Sequence, residues 1–267
     1  APDEWRVAAA DETSRYHADL DQLAAAQESP AGATAAGSGD LPTYAQVVGA
    51  VDRTKRPGDY VVAAAGGFPG EVNNGWRAGE LHSFDCEYGF SCMGYEIAGA
   101  WGAKMAMPER EVIAFVGDGS YLMLNSDLYS SVLSGHKIIV VVADNGGFAV
   151  INRLQVNQGG APFNNLLEDC RVRRVAGEVP RVDFAAHAVA LGCEAETVTT
   201  IGGLETALDR ARASDRTYVI ALRTDAHAWT EGGSFWEVGV PEVSVRAAVL
   251  DARSELEAAK ADQRVGW

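Results

Sequence analysis

Four continuous apolar runs rich in β-branched residues constrain this chain most. They are 60–65, 111–116, 137–143 and 217–222. Each is too short to be a core helix, and none alternates polar with apolar residues. That pattern belongs to strands buried on both faces. Helical stretches stand between and around the runs, at 93–107, 126–134, 184–191 and 204–213. Alternation of this kind predicts an α/β, three-layer αβα domain around a central, mainly parallel sheet. Ligands of such sheets bind beyond the carboxyl ends of the strands. Three successive runs end there in Gly66-Gly67, in Gly117-Asp118-Gly119 and in Asp144-Asn145-Gly146-Gly147, so the site is expected at those ends.

Residues 1–28, rich in Ala, Asp, Glu and Leu, read as a helix, and 29–40 as a small-residue flexible linker. Leu41-Pro42-Thr43 opens a further helix, with the proline just inside its start, and Lys55-Arg56-Pro57-Gly58-Asp59 ends it. The expected organisation is an N-terminal helix and linker over 1–40, an α/β domain over 41–240 and a helical tail over 241–267. No internal repeat is visible.

Composition excludes several classes. With 47% hydrophobic and 22% charged residues, the chain can bury a full core. A net charge of −15 opposes a nucleic-acid partner, because that affinity comes from Lys and Arg on phosphates. No apolar run approaches the length of a membrane span, and the N-terminus is not a signal peptide. The four cysteines form no C-x-x-C pair and no zinc spacing, so reduced thiols in the cytoplasm are expected. The absence of an initiator Met suggests a fragment or a processed chain.

Gly117-Asp118-Gly119-Ser120, leaving a strand and entering a helix, offers backbone amides to a phosphate. Leu122 stands where a dinucleotide fingerprint needs its third glycine, and no Walker lysine follows. Asp118 and Asn145 lie one helix and one strand apart, which puts both side chains at neighbouring strand ends. A carboxylate, an amide oxygen and nearby carbonyls suit Mg²⁺ or Ca²⁺ rather than zinc. Ser120 lacks a nucleophile elbow and triad partners.

Gly117-Asp118-Gly119-Ser120 followed by Asn145 resembles the signature of thiamine-diphosphate-dependent enzymes. Gly89-Phe90-Ser91-Cys92-Met93-Gly94 before an Ala/Gly-rich helix is similar to the acetolactate-synthase-like branch. Within it the chain most resembles the ring-opening hydrolases of inositol catabolism, which act on trihydroxycyclohexane-1,2-diones. The residues are 87–96, 116–124, Asp144-Asn145-Gly146-Gly147-Phe148, 151–155 and Trp236-Glu237-Val238-Gly239-Val240, and the likeness runs from Tyr44 to Ser244.

This resemblance implies thiamine diphosphate and Mg²⁺ as cofactors, with Asp118, Asn145 and the Gly147 carbonyl as metal ligands. It implies a cofactor-binding set of Gly67, Gly70, Ser91, Cys92, Met93, Gly117, Gly119, Ser120, Asn145, Gly147, Phe148 and Ala149. Met93 would prop the cofactor in its bent form, while Ser91 and Met93 would meet the aminopyrimidine. Asn152, Gln155 and His227 are candidates for the cyclic diketone substrate. Gly159–Asn165 reads as a mobile loop, and Trp229, Phe235 and Trp236 as residues that close over the site or pack. No catalytic residue is expected in this chain: the family's activating glutamate sits on a separate pyrimidine-binding domain. The chain is therefore expected to be the C-terminal part of a longer polypeptide or one subunit of a split enzyme, in a homo-oligomer, and inactive by itself. Alternatives left open are another thiamine-diphosphate lyase or synthase acting on 2-oxo acids, a cofactor-binding module without catalysis, and a Mg²⁺-dependent phosphate-handling enzyme.

Overall fold

The computed structural model describes residues 3–25, 41–169, 180–230 and 237–263. The expected linker at 29–40, together with Phe235 and Trp236, lies outside them. The chain divides into two compact units, one made of Ala1–Asn145 with Arg181–Thr230, the other of Gly146–Pro180 with Glu231–Trp267.

The first unit holds a six-stranded, wholly parallel sheet. Its strands are β1 (Tyr60–Ala63), β2 (Phe84–Cys86), β3 (Val112–Gly117), β4 (Ile139–Asp144), β5 (Glu194–Val198) and β6 (Tyr218–Arg223), in the order β2-β1-β3-β4-β6-β5. Its helices are α1 (Asp3–Ala25), α2 (Tyr44–Thr54), α3 (Phe68–Gly75), α4 (Tyr95–Ala106), α5 (Asp118–Met123), α6 (Ser126–Leu133), α8 (Phe184–Ala190) and α9 (Ile201–Ala213). The second unit contributes α7 (Ala149–Asn157) and α10 (Ala247–Ala261), with a 3₁₀ turn at Leu167–Asp169.

Alternate residues of the strands face opposite layers. Ile113, Phe115, Ile139, Val141, Ile220 and Leu222 pack with α2, α3 and α9 on one face. Ala114, Val116, Val140, Val142, Val219 and Ala221 pack with Ile97 of α4, Tyr121 of α5, Leu128 of α6 and Phe184 of α8 on the other. Both faces are dry, which is why the central runs read as unbroken apolar sequence. Helix α1 lies outside this sandwich, against α2 and α3.

Two strands were not expected. Edge strand β2 has only three residues, all half-buried, and edge strand β5 (Glu-Ala-Glu-Thr-Val) carries charge on its open side, so neither leaves an apolar run. Helix α3 was also unexpected; its proline occupies the first turn, where no N–H is needed. Pro42 lies before α2 rather than inside it. Thr43 is the cap: its hydroxyl accepts from Gln46 N, and the Gln46 side chain accepts from Thr43 N, a reciprocal capping box. Helix α4 begins at Tyr95, two residues later than expected, because Gly94 is left-handed at φ 96°. Strands β3 and β4 begin later than the runs at 111 and 137: Glu111 and Lys137 sit outside the sheet and pair with each other at 3.1 Å.

In the second unit, Val240, Val249 and Leu256 form a small cluster with Ala252. Gly159, at φ 79°, meets the backbone at Ala248 so closely that a side chain there would clash.

Candidate functional site

From β1 the chain steps outward to β2, then returns across β1 to β3. The strand order therefore reverses between β1 and β3, the crevice where α/β sheets bind ligands. The loops after β1, β3 and β4 stand side by side at this point. Register places Gly117 opposite Ala143, so Asp118 and Asn145 follow at adjacent strand ends.

Tyr44, first residue of α2, is the side chain on which these ends converge. Asn145 Nδ2 donates to the Tyr44 hydroxyl at 2.8 Å. The Tyr44 ring stacks on Phe68 with centroids 4.1 Å apart and an interplanar angle of 5°. A Cβ on Gly67 would come within 2.8 Å of that ring, and one on Gly117 within 3.6 Å of the hydroxyl. Burial pushes the phenol far above its ordinary range, and the negative charge of Asp118 adds to this, so the hydroxyl stays protonated. Asp118 itself is 5% exposed. The Oδ1 of Asn145 is fully buried and has no hydrogen-bond partner among the described residues. Such an atom normally carries a desolvation cost, so its position calls for a ligand. Next to it, Asp144 is held by Arg181 Nη1 at 3.2 and 3.3 Å.

Glu96 ties the first two loops together. Its carboxylate, wholly buried, accepts from Ala65 N at 3.0 Å, Gly94 N at 2.9 Å and the Ser120 hydroxyl at 2.8 Å. Burial raises its pKa, against the lowering effect of these donors. Ser120 also accepts from Gly94 N at 2.7 Å, so its side chain is committed inward.

The segment carrying Ser91, Cys92 and Met93 is shaped by Glu87, whose carboxylate accepts from Phe90 N at 2.9 Å and Cys92 N at 2.6 Å. Ser91 is left-handed at φ 51°. Ser91 and Cys92 are exposed and Met93 is half-buried. The Cys92 thiol is raised by desolvation and by Glu87, which leaves it a poor nucleophile. Hydrogen bonds from Cys92 and Phe90 hold Glu87 below the usual carboxylate range. A depressed folded pKa makes this loop tether complete above the unfolded value of about 4.3, and it is lost as pH falls through the lower folded value. Hydrogen exchange of the Phe90 and Cys92 amides, normalised to intrinsic rates, is expected to show protection at neutral pH that disappears in acid. Protection unchanged well below the carboxylate range would contradict the tether.

Gly67 caps α3 and Gly70 lies in its first turn, with open space around the latter. Gly119 is half-buried in α5. His227 N donates to Asp225 Oδ1 at 2.7 Å just after β6, and both His227 and Trp229 are half-buried. Among the other histidines, His187 packs on Tyr121, Nδ1 to hydroxyl 3.0 Å.

Five of the predicted residues, Gly147, Phe148, Ala149, Asn152 and Gln155, belong to the second unit. Gly147 bridges to Leu166, and its φ of 141° and the adjacent Asn165 carbonyl exclude any side chain. Phe148 N donates to that carbonyl at 2.7 Å. Asn152 is buried, with Oδ1 lacking a hydrogen-bond partner among the described residues. Gln155 donates to Ala161 O and accepts from Asn165 Nδ2, both at 2.6 Å, so its amide holds the Gly159–Asn165 loop.

The family model described as thiamine pyrophosphate enzyme, C-terminal TPP binding domain, matches residues 64–222. The chain belongs to this thiamine pyrophosphate enzyme family. Among its curated relatives, the 3D-(3,5/4)-trihydroxycyclohexane-1,2-dione hydrolase of Geobacillus thermodenitrificans is 38% identical over 213 residues, covering 79% of this chain and 33% of that protein. The enzyme named 3D-(3,5/4)-trihydroxycyclohexane-1,2-dione hydrolase 2 of Bacillus cereus is 38% identical over 227 residues, covering 82% and 35%. The chain thus spans about a third of the length of these relatives. Its fold is shared with the solved thiamine diphosphate-dependent 4-hydroxybenzoylformate decarboxylase of Rhodococcus jostii (TM-score 0.62, 21% identity, 70% of this chain and 33% of that one). The benzoylformate decarboxylase of Polynucleobacter necessarius matches less closely (TM-score 0.58, 18% identity, 69% and 33%).

Within this thiamine pyrophosphate enzyme domain, three residues that organise the site had no role in the sequence reading. Tyr44 is contributed by a helix remote in sequence from every motif. Glu87 and Glu96 flank the Gly-x-Ser-Cys-Met-Gly segment. An acid inside the otherwise apolar start of α4, two residues after a left-handed glycine, was the available signal for Glu96.

Proposed function

We propose that this chain is the cofactor-holding part of a ring-opening carbon–carbon hydrolase that acts on a trihydroxycyclohexane-1,2-dione in myo-inositol catabolism. The buried, hydrogen-bond-deficient Oδ1 of Asn145, beside the buried Asp118 carboxylate, carries the cofactor part of this reading. The 38% identity to hydrolases of that name supports the substrate class.

No group of three His, Cys, Asp or Glu side chains forms a metal cluster among the described residues. A cation here would therefore rest on one carboxylate, an amide oxygen, backbone carbonyl and the phosphates of the cofactor, a set that suits Mg²⁺. In the first unit Asp118 and Asn145 would hold the metal, with the backbone of Gly117, Gly119 and Ser120 toward the diphosphate. Gly67, Gly70, Ser91, Cys92 and Met93 complete the proposed cofactor set there, with Met93 as the apolar prop. In the second unit Gly147 is proposed as a carbonyl ligand, Phe148 and Ala149 as cofactor contacts, and Asn152 and Gln155 as substrate contacts; His227 is the substrate candidate after β6. The proposed cofactor domain runs from 41 to 240, with a helical tail over 241–267.

Thiamine diphosphate, when bound, would supply a nucleophilic carbon and an electron sink for cleavage of the bond between the two carbonyl carbons of the dione. One water is consumed and a ring-opened acid is formed. This chain's own residues bind and orient: Asp118 places negative charge against the cation, Glu96 holds the Gly94 and Ser120 segments in register, and Glu87 shapes the loop before Met93. Activation requires a glutamate on a pyrimidine-binding domain of the same or another chain, in a homo-oligomer, so the isolated chain is proposed to be inactive. Unpaired thiols at Cys86, Cys92 and Cys193 support a cytoplasmic setting. No helix among the described residues is long and apolar enough to cross a membrane.

The test combines the chain with a pyrimidine-binding domain that carries the activating glutamate, and follows acid release from the cyclic dione and product formation from pyruvate. Turnover of the dione with none of pyruvate is expected. Turnover of pyruvate alone would move the assignment to the 2-oxo acid enzymes.

A further inference from the structure

We propose that Tyr44 is a positioning residue that fixes the side-chain amide of Asn145 with its oxygen turned toward the cation. The inference rests on the Mg²⁺ reading of Asp118 and Asn145 and deepens it. An asparagine amide can rotate so that its NH₂ and its oxygen exchange places. Only one of these orientations offers an oxygen to a metal; the other presents two N–H dipoles of the wrong sign.

Here the orientation is set by one hydrogen bond, Asn145 Nδ2 to the Tyr44 hydroxyl at 2.8 Å. It leaves Oδ1 as the buried atom without a hydrogen-bond partner among the described residues. The negative charges of Asp118 and Asp144 act on the same hydroxyl. They favour the protonated phenol, whose oxygen accepts from the Asn145 amide N–H. Tyr44 cannot yield to a rotating amide. Its ring is stacked on Phe68 at 4.1 Å, and Gly67 is pressed against it so closely that a Cβ would stand 2.8 Å from the ring. The capping box of Thr43 and Gln46 anchors the helix start that carries it. The phenol thus has the features of an outer-shell group that orients a metal ligand without touching the metal, and loss of such groups costs about 10- to 100-fold in metal affinity.

Tyr44→Phe removes the hydroxyl and keeps the ring, its stack and its packing. The Mg²⁺ concentration that half-saturates thiamine diphosphate binding is measured for the wild-type chain, Tyr44→Phe and Asn145→Ala, together with their melting temperatures. In the ligand-free proteins the Asn145 side-chain amide is followed by ¹⁵N NMR. Expected for Tyr44→Phe are a rise of about tenfold or more in the Mg²⁺ requirement, a shifted and broadened Asn145 amide pair, and a melting temperature near that of the wild type. Asn145→Ala sensitive to Mg²⁺ with Tyr44→Phe indistinguishable from wild type would overturn the role of Tyr44 and leave the metal reading standing. A Tyr44→Phe that lowers the melting temperature without moving the Mg²⁺ requirement would show a purely structural tyrosine. If wild type and Asn145→Ala share one Mg²⁺-independent affinity, the metal reading falls and the inference with it.

Discussion

Replacing Asp118 by alanine is expected to abolish Mg²⁺-dependent binding of thiamine diphosphate while leaving the chain folded. Of the pair proposed in the first unit, Asn145 is neutral, so the charged oxygen offered to the cation comes from Asp118. Affinity for hard cations follows the number of charged oxygen ligands. A loss of at least about 100-fold, or roughly 2.7 kcal/mol, is expected. The fold should tolerate the change. The cap of α5 is Gly117, which makes no side-chain capping bond, and alanine at Asp118 is compatible with the helix, at the loss of about 0.3–1 kcal/mol of dipole interaction. Calorimetric titration beside a thermal melt checks both halves. A folded Asp118→Ala protein of unchanged affinity would remove Asp118 from the metal site.

Glu96→Ala should have the largest effect on stability. The substitution deletes the acceptor for three donors at once, the amides of Ala65 and Gly94 and the hydroxyl of Ser120. Each buried donor left without a partner costs about 1–3 kcal/mol. Gly94 N keeps the Ser120 hydroxyl as an acceptor, so the loss falls on Ala65 N and the Ser120 hydroxyl, about 2–4 kcal/mol together. For a chain of this size it corresponds to a drop of roughly 5–10 °C in melting temperature. Glu96→Gln keeps the volume and one acceptor oxygen, but turns an NH₂ toward the donors, so an intermediate loss is expected. Thermal unfolding of both variants measures the effect. A Glu96→Ala protein that melts with the wild type would show that the three loops hold their places without the carboxylate.

The central half of this fold was legible in the sequence because β3 and β4 are covered on both faces, and such strands must be continuously apolar. The Gly-Asp-Gly and Asp-Asn-Gly-Gly ends were legible for a related reason: polar and glycine residues that interrupt such runs have no packing role to fill. Edge strands β2 and β5 left no such trace, since one side of each is open and charged residues are tolerated there. Tyr44 was invisible because its relevance comes from the packing of α2 across the sheet, which brings it to Asn145 across 101 positions of sequence. Glu96 was quoted as part of a motif, yet its three bonds reach residues on two other loops, and no local spacing encodes them. Ser120 shows the converse: its place in the motif was plain, but the direction of its hydroxyl, toward Glu96 and Gly94, is a tertiary property.

The most direct measurement is calorimetric titration of thiamine diphosphate into this chain, with and without Mg²⁺. Binding that appears with Mg²⁺ and is lost on its removal is the predicted result. Cofactor uptake indifferent to Mg²⁺, or no uptake at millimolar cofactor in its presence, would contradict the account of Asp118 and Asn145 as the residues that hold metal and diphosphate.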